Sequence, residues 1–125
     1  MEFRQSRPIY LQIADHIAEE ILNGKWRPGE RIPSVRELSV SVEVNPNTVM
    51  RAYAYLQDQG IIQNQRGIGY FAAQGAEEKI RSWKRQRFVG RELPLLFDTM
   101  KLLDMSFDDL KTLFAEYRQK QEKER

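Results

Sequence analysis

The stretch that decides the fold is residues 33–69, PSVRELSVSVEVNPNTVMRAYAYLQDQGIIQNQRGIG. Its Ser34 is followed three residues later by Glu37, which is the pattern of a capping box. In that motif the serine side chain accepts a hydrogen bond from an early helix amide, and the glutamate accepts one from the amide of the serine. A short helix is therefore predicted from Ser34 to about Val42.

A second helix is predicted after a turn at Glu43 and Val44. Asn45 is a good N-cap residue, and Pro46 suits the first helical position, where the N–H that proline lacks has no partner in the helix. Gly60 is expected to end this helix at about residue 59. Its apolar residues have the i, i+3, i+4, i+7 spacing of one buried stripe, and a polar set lies on the opposite face. The buried stripe is Val49, Ala52, Tyr53 and Leu56, and the outward set is Asn47, Thr48, Arg51 and Tyr55.

Two short strands, residues 61–64 and 69–72, are predicted around a four-residue turn that carries Arg66 and Gly67. Two helices at this spacing, followed by a tight basic hairpin, form a winged helix-turn-helix. In such a fold the second helix enters a major groove, and the hairpin touches the neighbouring backbone or minor groove. The stretch therefore predicts a DNA-reading device.

The residues expected to contact DNA lie on both helices and on the hairpin. Arginine can pair with guanine and asparagine with adenine, while threonine can serve a phosphate or a thymine methyl. Each residue alone has a simpler explanation, as a cap, a solvated arginine or a turn glycine, and it is their joint presence in this order that favours DNA contact. The predicted set is Ser34, Arg36, Asn45, Asn47, Thr48, Arg51, Tyr55, Arg66 and Gly67.

The chain before this stretch predicts one amphipathic helix, at about residues 9–23, because isoleucine recurs every fourth residue from Ile9 to Ile21. Arg31 and Ile32 are expected to form one short strand. The predicted fold class is mainly α with a small β-hairpin: a winged helix-turn-helix domain over residues 1–75, then a two-helix dimerisation segment over residues 76–125.

The segment after residue 75 predicts helices that need a partner. Pro94 is expected to kink or restart the first helix, and Ser106 with Asp109 to open the last. About 50 residues in two helices cannot enclose a sizeable core, and such a segment needs a disulfide, a metal or a partner chain to be stable. Because the chain has no cysteine, a partner chain is the expected source of this stability. We expect a two-fold homodimer, with packing of the same stripe against the first helix of its own chain as the alternative. The stripe is Leu93, Leu96, Phe97, Met100, Leu103, Leu110 and Phe114.

Composition narrows the class of protein. The chain of 125 residues has 20 basic and 18 acidic residues, and this net charge of +2 is too small to argue for nucleic acid by itself. Its distribution is more telling, since Asp58 is the only acidic residue between Val44 and Gly75. No run of 18 apolar residues is present and the first residues lack an apolar leader, so we expect no membrane span and a cytoplasmic protein.

The sequence offers no constellation of residues for catalysis. Cysteine is absent, which removes disulfides, thiolate catalysis and cysteine metal sites. His16 with Glu20 has the spacing of a metal pair, but it lies on a polar helix face without a third ligand. We therefore expect no enzyme, no metal and no cofactor.

The amino-terminal half resembles the DNA-binding domain of GntR-family bacterial transcription regulators, over about residues 5–73. The resemblance is carried by residues 8–13 (PIYLQI), 29–38 (GERIPSVREL), 45–49 (NPNTV), Tyr53, Leu56, 60–62 (GII) and 66–69 (RGIG). It implies that Arg36, Asn47, Thr48, Arg51, Arg66 and Gly67 contact operator DNA.

The sequence departs from the family pattern at two places. Many members have arginine where this chain has Pro46, so one common DNA contact is missing. Residues 70–72 (YFA) replace the usual threonine-phenylalanine-valine of the wing. The motif at residues 45–49 (NPNTV), together with the short tail, resembles the YtrA-type branch, which implies a small homodimer with two C-terminal helices.

Two alternatives stay open. An effector-gated regulator would need a small pocket near the C-terminal helices, for which Trp26, Trp83, Phe88 and Tyr117 are candidates. A winged-helix fold can also be a protein-interaction module or bind double-stranded RNA, and salt-dependent binding to duplex DNA separates these from a DNA-binding regulator.

Overall fold

The computed structural model describes residues 7–124, which are mainly helical with one small β-hairpin. The predicted fold class, mainly α with a small β-hairpin, is confirmed. In chain order the elements are α1 (Ile9–Leu22), α2 (Val35–Val42), α3 (Pro46–Asp58), β1 (Ile62–Gln65), β2 (Gly69–Ala72), α4 (Ala76–Arg87), a π-helical segment (Phe88–Glu92), α5 (Leu93–Leu102) and α6 (Phe107–Lys123).

The core lies between α1 and α3. The isoleucine stripe of α1 is buried from Ile13 to Ile21, whereas Ile9 at the start of the helix is exposed. All four residues of the predicted α3 stripe are fully buried. The periodicity of these two helices therefore indicated correctly which faces pack together.

The capping box predicted at the start of α2 is present. The amide of Glu37 donates to Ser34 Oγ at 3.0 Å, and the amide of Ser34 donates to Glu37 Oε1 at 3.2 Å. The helix ends at Glu43, whose φ of 55° is left-handed. This single left-handed residue turns the chain so that α3 can begin three residues later.

The hairpin pairs Ile62 with Ala72 and Gln65 with Gly69 in antiparallel register. The first strand lies one residue later than predicted, because Ile61 instead bonds to the end of α3 and to Ala73. The short strand expected at Arg31 and Ile32 is reduced to a single antiparallel bridge from Arg31 to Phe71 of β2, and the sheet has two strands. The hairpin is thereby fastened to the segment that leads into α2.

The chain divides into two compact units, one ending at Trp83 and the other beginning at Lys84. The sequence placed this boundary between residues 75 and 76. The first turns of α4 belong to the first unit, because Ala76 and Ile80 are fully buried and Trp83 packs against the core. In the sequence, Ala76 and Ile80 are two apolar residues in a strongly charged segment, and they did not indicate that the start of α4 packs on the first unit.

The second unit contains two helical stretches. The π-helical segment runs directly into α5, and Pro94 lies in the first turn of α5. Proline cannot donate to the carbonyl four residues earlier and its ring crowds that carbonyl, so a wider helical turn at this point is expected. Ser106 and Asp109 form a capping box at the start of α6, as predicted.

None of the helices within residues 7–124 is both long enough and apolar enough to cross a membrane.

Candidate nucleic-acid interface

The amino end of α3 presents polar groups to solvent. Asn45 caps the helix, since its Oδ1 accepts a hydrogen bond from the amide of Asn47 at 2.8 Å. Asn47 is exposed and Thr48 is half-buried. The amides at this end carry partial positive charge, which suits a phosphate.

Arg51 lies one turn further along α3 and is exposed. Its guanidinium carbon is 4.1 Å from the centroid of the Tyr10 ring, on α1. Asn47 and Arg51 are four residues apart and therefore share the face opposite the buried stripe. The structure brings these two predicted contacts together on one helix face.

Tyr55 differs from the rest of the predicted set. Its ring is half-buried against the core. The centroid of this ring lies 6.3 Å from that of the Tyr10 ring and 5.7 Å from that of the Trp83 ring. Tyr55 flanks the outward face instead of projecting from its centre. We assign its ring a packing role between α1, α3 and α4.

Arg36 projects from the first turn of α2 and is exposed. Beside it, the capping box fixes the helix start. Hydrogen bonds from the backbone and the side chain of Ser34 hold the pKa of the Glu37 carboxyl below its usual value. Ser34 is thus engaged in capping, and Arg36 is the side chain of this turn that remains available to a phosphate.

The hairpin tip is a tight turn in which the amide of Ile68 donates to the carbonyl of Gln65 at 2.9 Å. Gly67 has a φ of 78°, the left-handed value that the third residue of a type II turn requires. Apart from Gly67 and its two chain neighbours, no heavy atom of the described residues lies within 4 Å of the place where a Cβ on Gly67 would be. Arg66 and Gly67 are both exposed, so the tip is open to a partner.

Two further residues near these elements were not predicted from the sequence. Met50 is 54% exposed beside Asn47 and Arg51. Its position three residues after Asn47 could have indicated from the sequence that it lies near the outward face of the helix. Arg31 crosses the base of the hairpin, with its Nε 3.0 Å from the point where a Cβ on Gly69 would lie. Its side chain extends the basic character of the hairpin towards α2.

The candidate effector aromatics are distributed over both units. Trp26 and Trp83 pack against the core of the first unit. Phe88 and Tyr117 belong to the second unit and are exposed. The effector pocket stays a prediction.

The candidate metal pair is engaged otherwise, because Glu20 forms an ion pair with Lys25 at 3.5 Å. Across the part of the chain that the structure describes, no group of three or more histidine, aspartate or glutamate side chains could hold a metal ion.

The predicted dimerisation stripe lies on exposed helices. Within residues 84–124 no side chain is buried. Phe97, Leu103 and Phe114 are each at least half exposed, and Leu93, Met100 and Leu110 are half-buried. The apolar pattern of the sequence did not include three further exposed apolar residues, Leu95, Leu102 and Leu113.

Two capped helices, an exposed polar face on the second and a basic hairpin tip define a winged helix-turn-helix DNA-binding protein. A family model described as "Bacterial regulatory proteins, gntR family" matches residues 9–71. The chain belongs to the GntR family of bacterial regulatory proteins, a class of transcription regulators and not of enzymes.

Two curated relatives come from Bacillus subtilis. The HTH-type transcriptional regulator YhcF is 45% identical over 76 residues, which are 61% of this chain and 63% of YhcF. The HTH-type transcriptional repressor YtrA is 45% identical over 95 residues, 76% of this chain and 73% of YtrA. The match to YhcF thus spans less than two thirds of that relative.

Two solved structures are similar. A GntR-family transcriptional regulator from Bacteroides thetaiotaomicron superposes with a TM-score of 0.80 at 44% identity, over 91% of this chain and 99% of that chain. The DNA-binding domain of AraR, in complex with operator ORR3, superposes with a TM-score of 0.53 at 30% identity, over 58% of this chain and 88% of that chain.

Proposed function

We propose that the chain is a dimeric transcriptional repressor that binds an inverted-repeat operator and blocks transcription by occupying it. The observation that carries this proposal is the exposed face of α3, where Asn47 and Arg51 project opposite the buried stripe. The relative YtrA is a repressor by name, and AraR has a similar domain on operator DNA. A chromosomal operator is consistent with the predicted cytoplasmic location.

In this proposal α3 lies in the major groove. The guanidinium of Arg51 has the fork geometry for a bidentate pair with guanine, and the amide of Asn47 can pair with adenine. Thr48 and the first amides of α3 approach a phosphate. These contacts would supply both the register on the duplex and part of the base preference.

The hairpin adds a second contact. Arg66 stands at an exposed tip, and Gly67 leaves space for close approach of the backbone. A charged tip of this kind neutralises a phosphate or enters a minor groove, where the local potential is negative. Arg36 contributes a further phosphate contact from α2.

The proposed dimer rests on the second unit. Its described residues, 84–124, bury no side chain, yet they carry large apolar residues that are more than half exposed. Exposed apolar area of this extent marks an interface. On α6 the apolar positions 107, 110, 114 and 117 follow a 3-4-3 pattern on one face, which is typical of a helix that packs on another helix.

A two-fold axis has a geometric consequence for the operator. Two α3 helices related by such an axis read half-sites of opposite orientation, with centres about 34 Å apart or at a related spacing. The operator should therefore be an inverted repeat.

The binding proposal is tested by selecting bound fragments from random duplex DNA and measuring their affinity at several salt concentrations. We expect a selected inverted repeat and an affinity that falls as salt rises, by about 0.9 log units per log unit of salt for each phosphate contact. Matched duplex RNA serves as the control. Equal affinity for RNA, or no selected sequence, would contradict the proposal.

The dimer is tested by sedimentation of the native chain and of Phe114→Glu. We expect the native mass to be that of two chains and the variant to dissociate, because a carboxylate enters the apolar face of α6. Gln119→Glu adds the same charge on the opposite, polar face and should leave the dimer intact. Equal behaviour of the two variants would contradict the proposed interface.

A further inference from the structure

Arg51 rests on the ring of a residue from another helix. Its guanidinium carbon lies 4.1 Å from the centroid of Tyr10, which is the second residue of α1. A cation placed over the face of an aromatic ring is attracted by the negative charge of that face. The contact therefore restricts the arginine side chain before any DNA is present.

The Tyr10 ring is itself held in place. It is half-buried against the core and meets Tyr55 edge to face at 6.3 Å. Tyr55 lies one turn after Arg51 on α3, and its other side contacts Trp83 at 5.7 Å. The ring beneath Arg51 is thus fixed to the same helix that carries the arginine.

The contact with Tyr10 leaves N–H donors of Arg51 available. The guanidinium carbon lies over the ring, and a guanidinium has five N–H donors that point outward in its plane, so donors remain for a base or a phosphate. Within residues 7–124, no carboxylate forms an ion pair with Arg51.

We infer that Tyr10 is a positioning residue for Arg51, and that its ring face sharpens the preference of the protein for the base pair that Arg51 reads. Immobilising a long side chain on binding has an entropic cost, and a side chain that is already oriented loses less freedom. The inference rests on the proposed function, because it takes Arg51 to be the side chain that reads DNA.

The test is a double-mutant cycle with Tyr10→Leu, Arg51→Ala and the double variant, measured on the selected operator and on the operator changed at the base pair read by Arg51. Tyr10→Leu removes the ring face and keeps an apolar side chain. We expect it to weaken operator binding about threefold to tenfold and to reduce the discrimination between the two duplexes. In the Arg51→Ala background the same change should have no further effect.

Two aromatic replacements provide the control. Tyr10→Phe keeps the ring and loses the hydroxyl, and Tyr10→Trp offers the ring that attracts cations most strongly. Variants that keep an aromatic ring at position 10 should keep the operator affinity and the discrimination between the two duplexes. Tyr10→Phe and Tyr10→Trp should therefore behave much like the native chain. This comparison remains available if Tyr10→Leu proves unstable in thermal unfolding.

Three outcomes would overturn the inference. Equal losses for Tyr10→Leu in both backgrounds would mean that Tyr10 acts without Arg51. A loss with Tyr10→Phe on both duplexes alike would indicate a contact from the hydroxyl to a phosphate. If Tyr10→Trp and Tyr10→Leu behaved alike, the ring face would have no role. By contrast, a native chain that binds no duplex DNA would contradict the proposed function itself.

Discussion

The hydroxyl of Tyr53, on α3, donates a 2.6 Å hydrogen bond to the backbone carbonyl of Pro33, the residue before the N-cap of α2. The Tyr53 ring is fully buried, and its neighbour is the ring of Tyr70 on β2, at 4.9 Å and nearly perpendicular. One side chain thus connects α3 to the start of α2 and to the hairpin. The spacing between the three elements that would face DNA depends on it.

Tyr53→Phe is expected to lower the free energy of unfolding by about 0.5 to 1.5 kcal/mol, because the half-buried Pro33 carbonyl loses its hydrogen-bond partner. Urea unfolding of both proteins measures the difference. Tyr70→Phe removes a hydroxyl from the neighbouring, half-buried ring and should cost less. Equal losses would show that the bond to Pro33 is not the stabilising contact.

The Tyr53 hydroxyl should also make the stability of the folded chain depend on pH in the alkaline range. Burial raises the pKa of Tyr53 well above its usual value, with smaller contributions from Tyr70 and Glu37. Its contribution to stability is fully present below the unfolded pKa of about 10 and is lost as pH rises further, because only the unfolded chain releases the proton. The stability of the native chain should therefore fall more steeply above pH 10 than that of Tyr53→Phe. Parallel slopes would contradict this.

The capping box should make the stability of the folded chain depend on pH in the acid range. Hydrogen bonds from Ser34 lower the pKa of Glu37 from 4.5, so its contribution is present above that value and is lost as pH falls through the folded pKa. Glu37→Gln keeps an acceptor for the Ser34 amide but does not titrate. Below pH 4.5 the stability of Glu37→Gln should decline less than that of the native chain, and equal declines would contradict this contribution of the capping box.

The left-handed residue between α2 and α3 predicts a stabilising substitution. Glu43 has a φ of 55°, a conformation that costs an ordinary residue about 1 to 2 kcal/mol. Glu43→Gly should raise the free energy of unfolding by about 0.5 to 1 kcal/mol, since glycine adopts this conformation without strain but loses more entropy on folding. Glu43→Ala removes the same charge and keeps the strain. A gain with alanine as large as with glycine would assign the effect to charge.

Substitutions of Arg51 and Arg36 are expected to weaken DNA binding in different ways. Arg51→Ala should weaken operator binding by about 1 to 3 kcal/mol and relax the preference at one position, because it removes a base contact. Arg36→Ala should weaken all sequences alike and reduce the salt slope by about one unit. Arg81→Ala, on α4, removes an arginine that is paired with Glu77 and serves as the control. Identical profiles for Arg51→Ala and Arg36→Ala would contradict the separate roles.

The local part of the fold could be predicted from the sequence. Caps, turn glycines and helical periodicity depend on residues a few positions apart, so Ser34, Asn45 and Gly67 indicated where elements begin and turn. The polar residues on the outward face of α3 followed from the positions of Val49, Ala52, Tyr53 and Leu56.

Contacts between distant parts of the chain could not be predicted in the same way. Nothing in a single sequence places Tyr10 under Arg51 or the Tyr53 hydroxyl on Pro33, because both contacts depend on how α1, α2 and α3 pack. The first turns of α4 were missed as part of the first unit for the same reason. Tyr55 has the spacing of an outward residue, and only its aromatic neighbours on α1 and α4 show that it packs.

The most direct test of DNA binding through α3 and the hairpin is to follow the backbone amides of the full chain by NMR while the selected operator duplex is added. The largest shifts are expected at Asn45 and residues 47–51 of α3 and at residues 65–68 of the hairpin tip, with the polar face of α6 unchanged. Shifts concentrated on α6, with the amides of α3 and the hairpin unaltered, would contradict binding through these two elements.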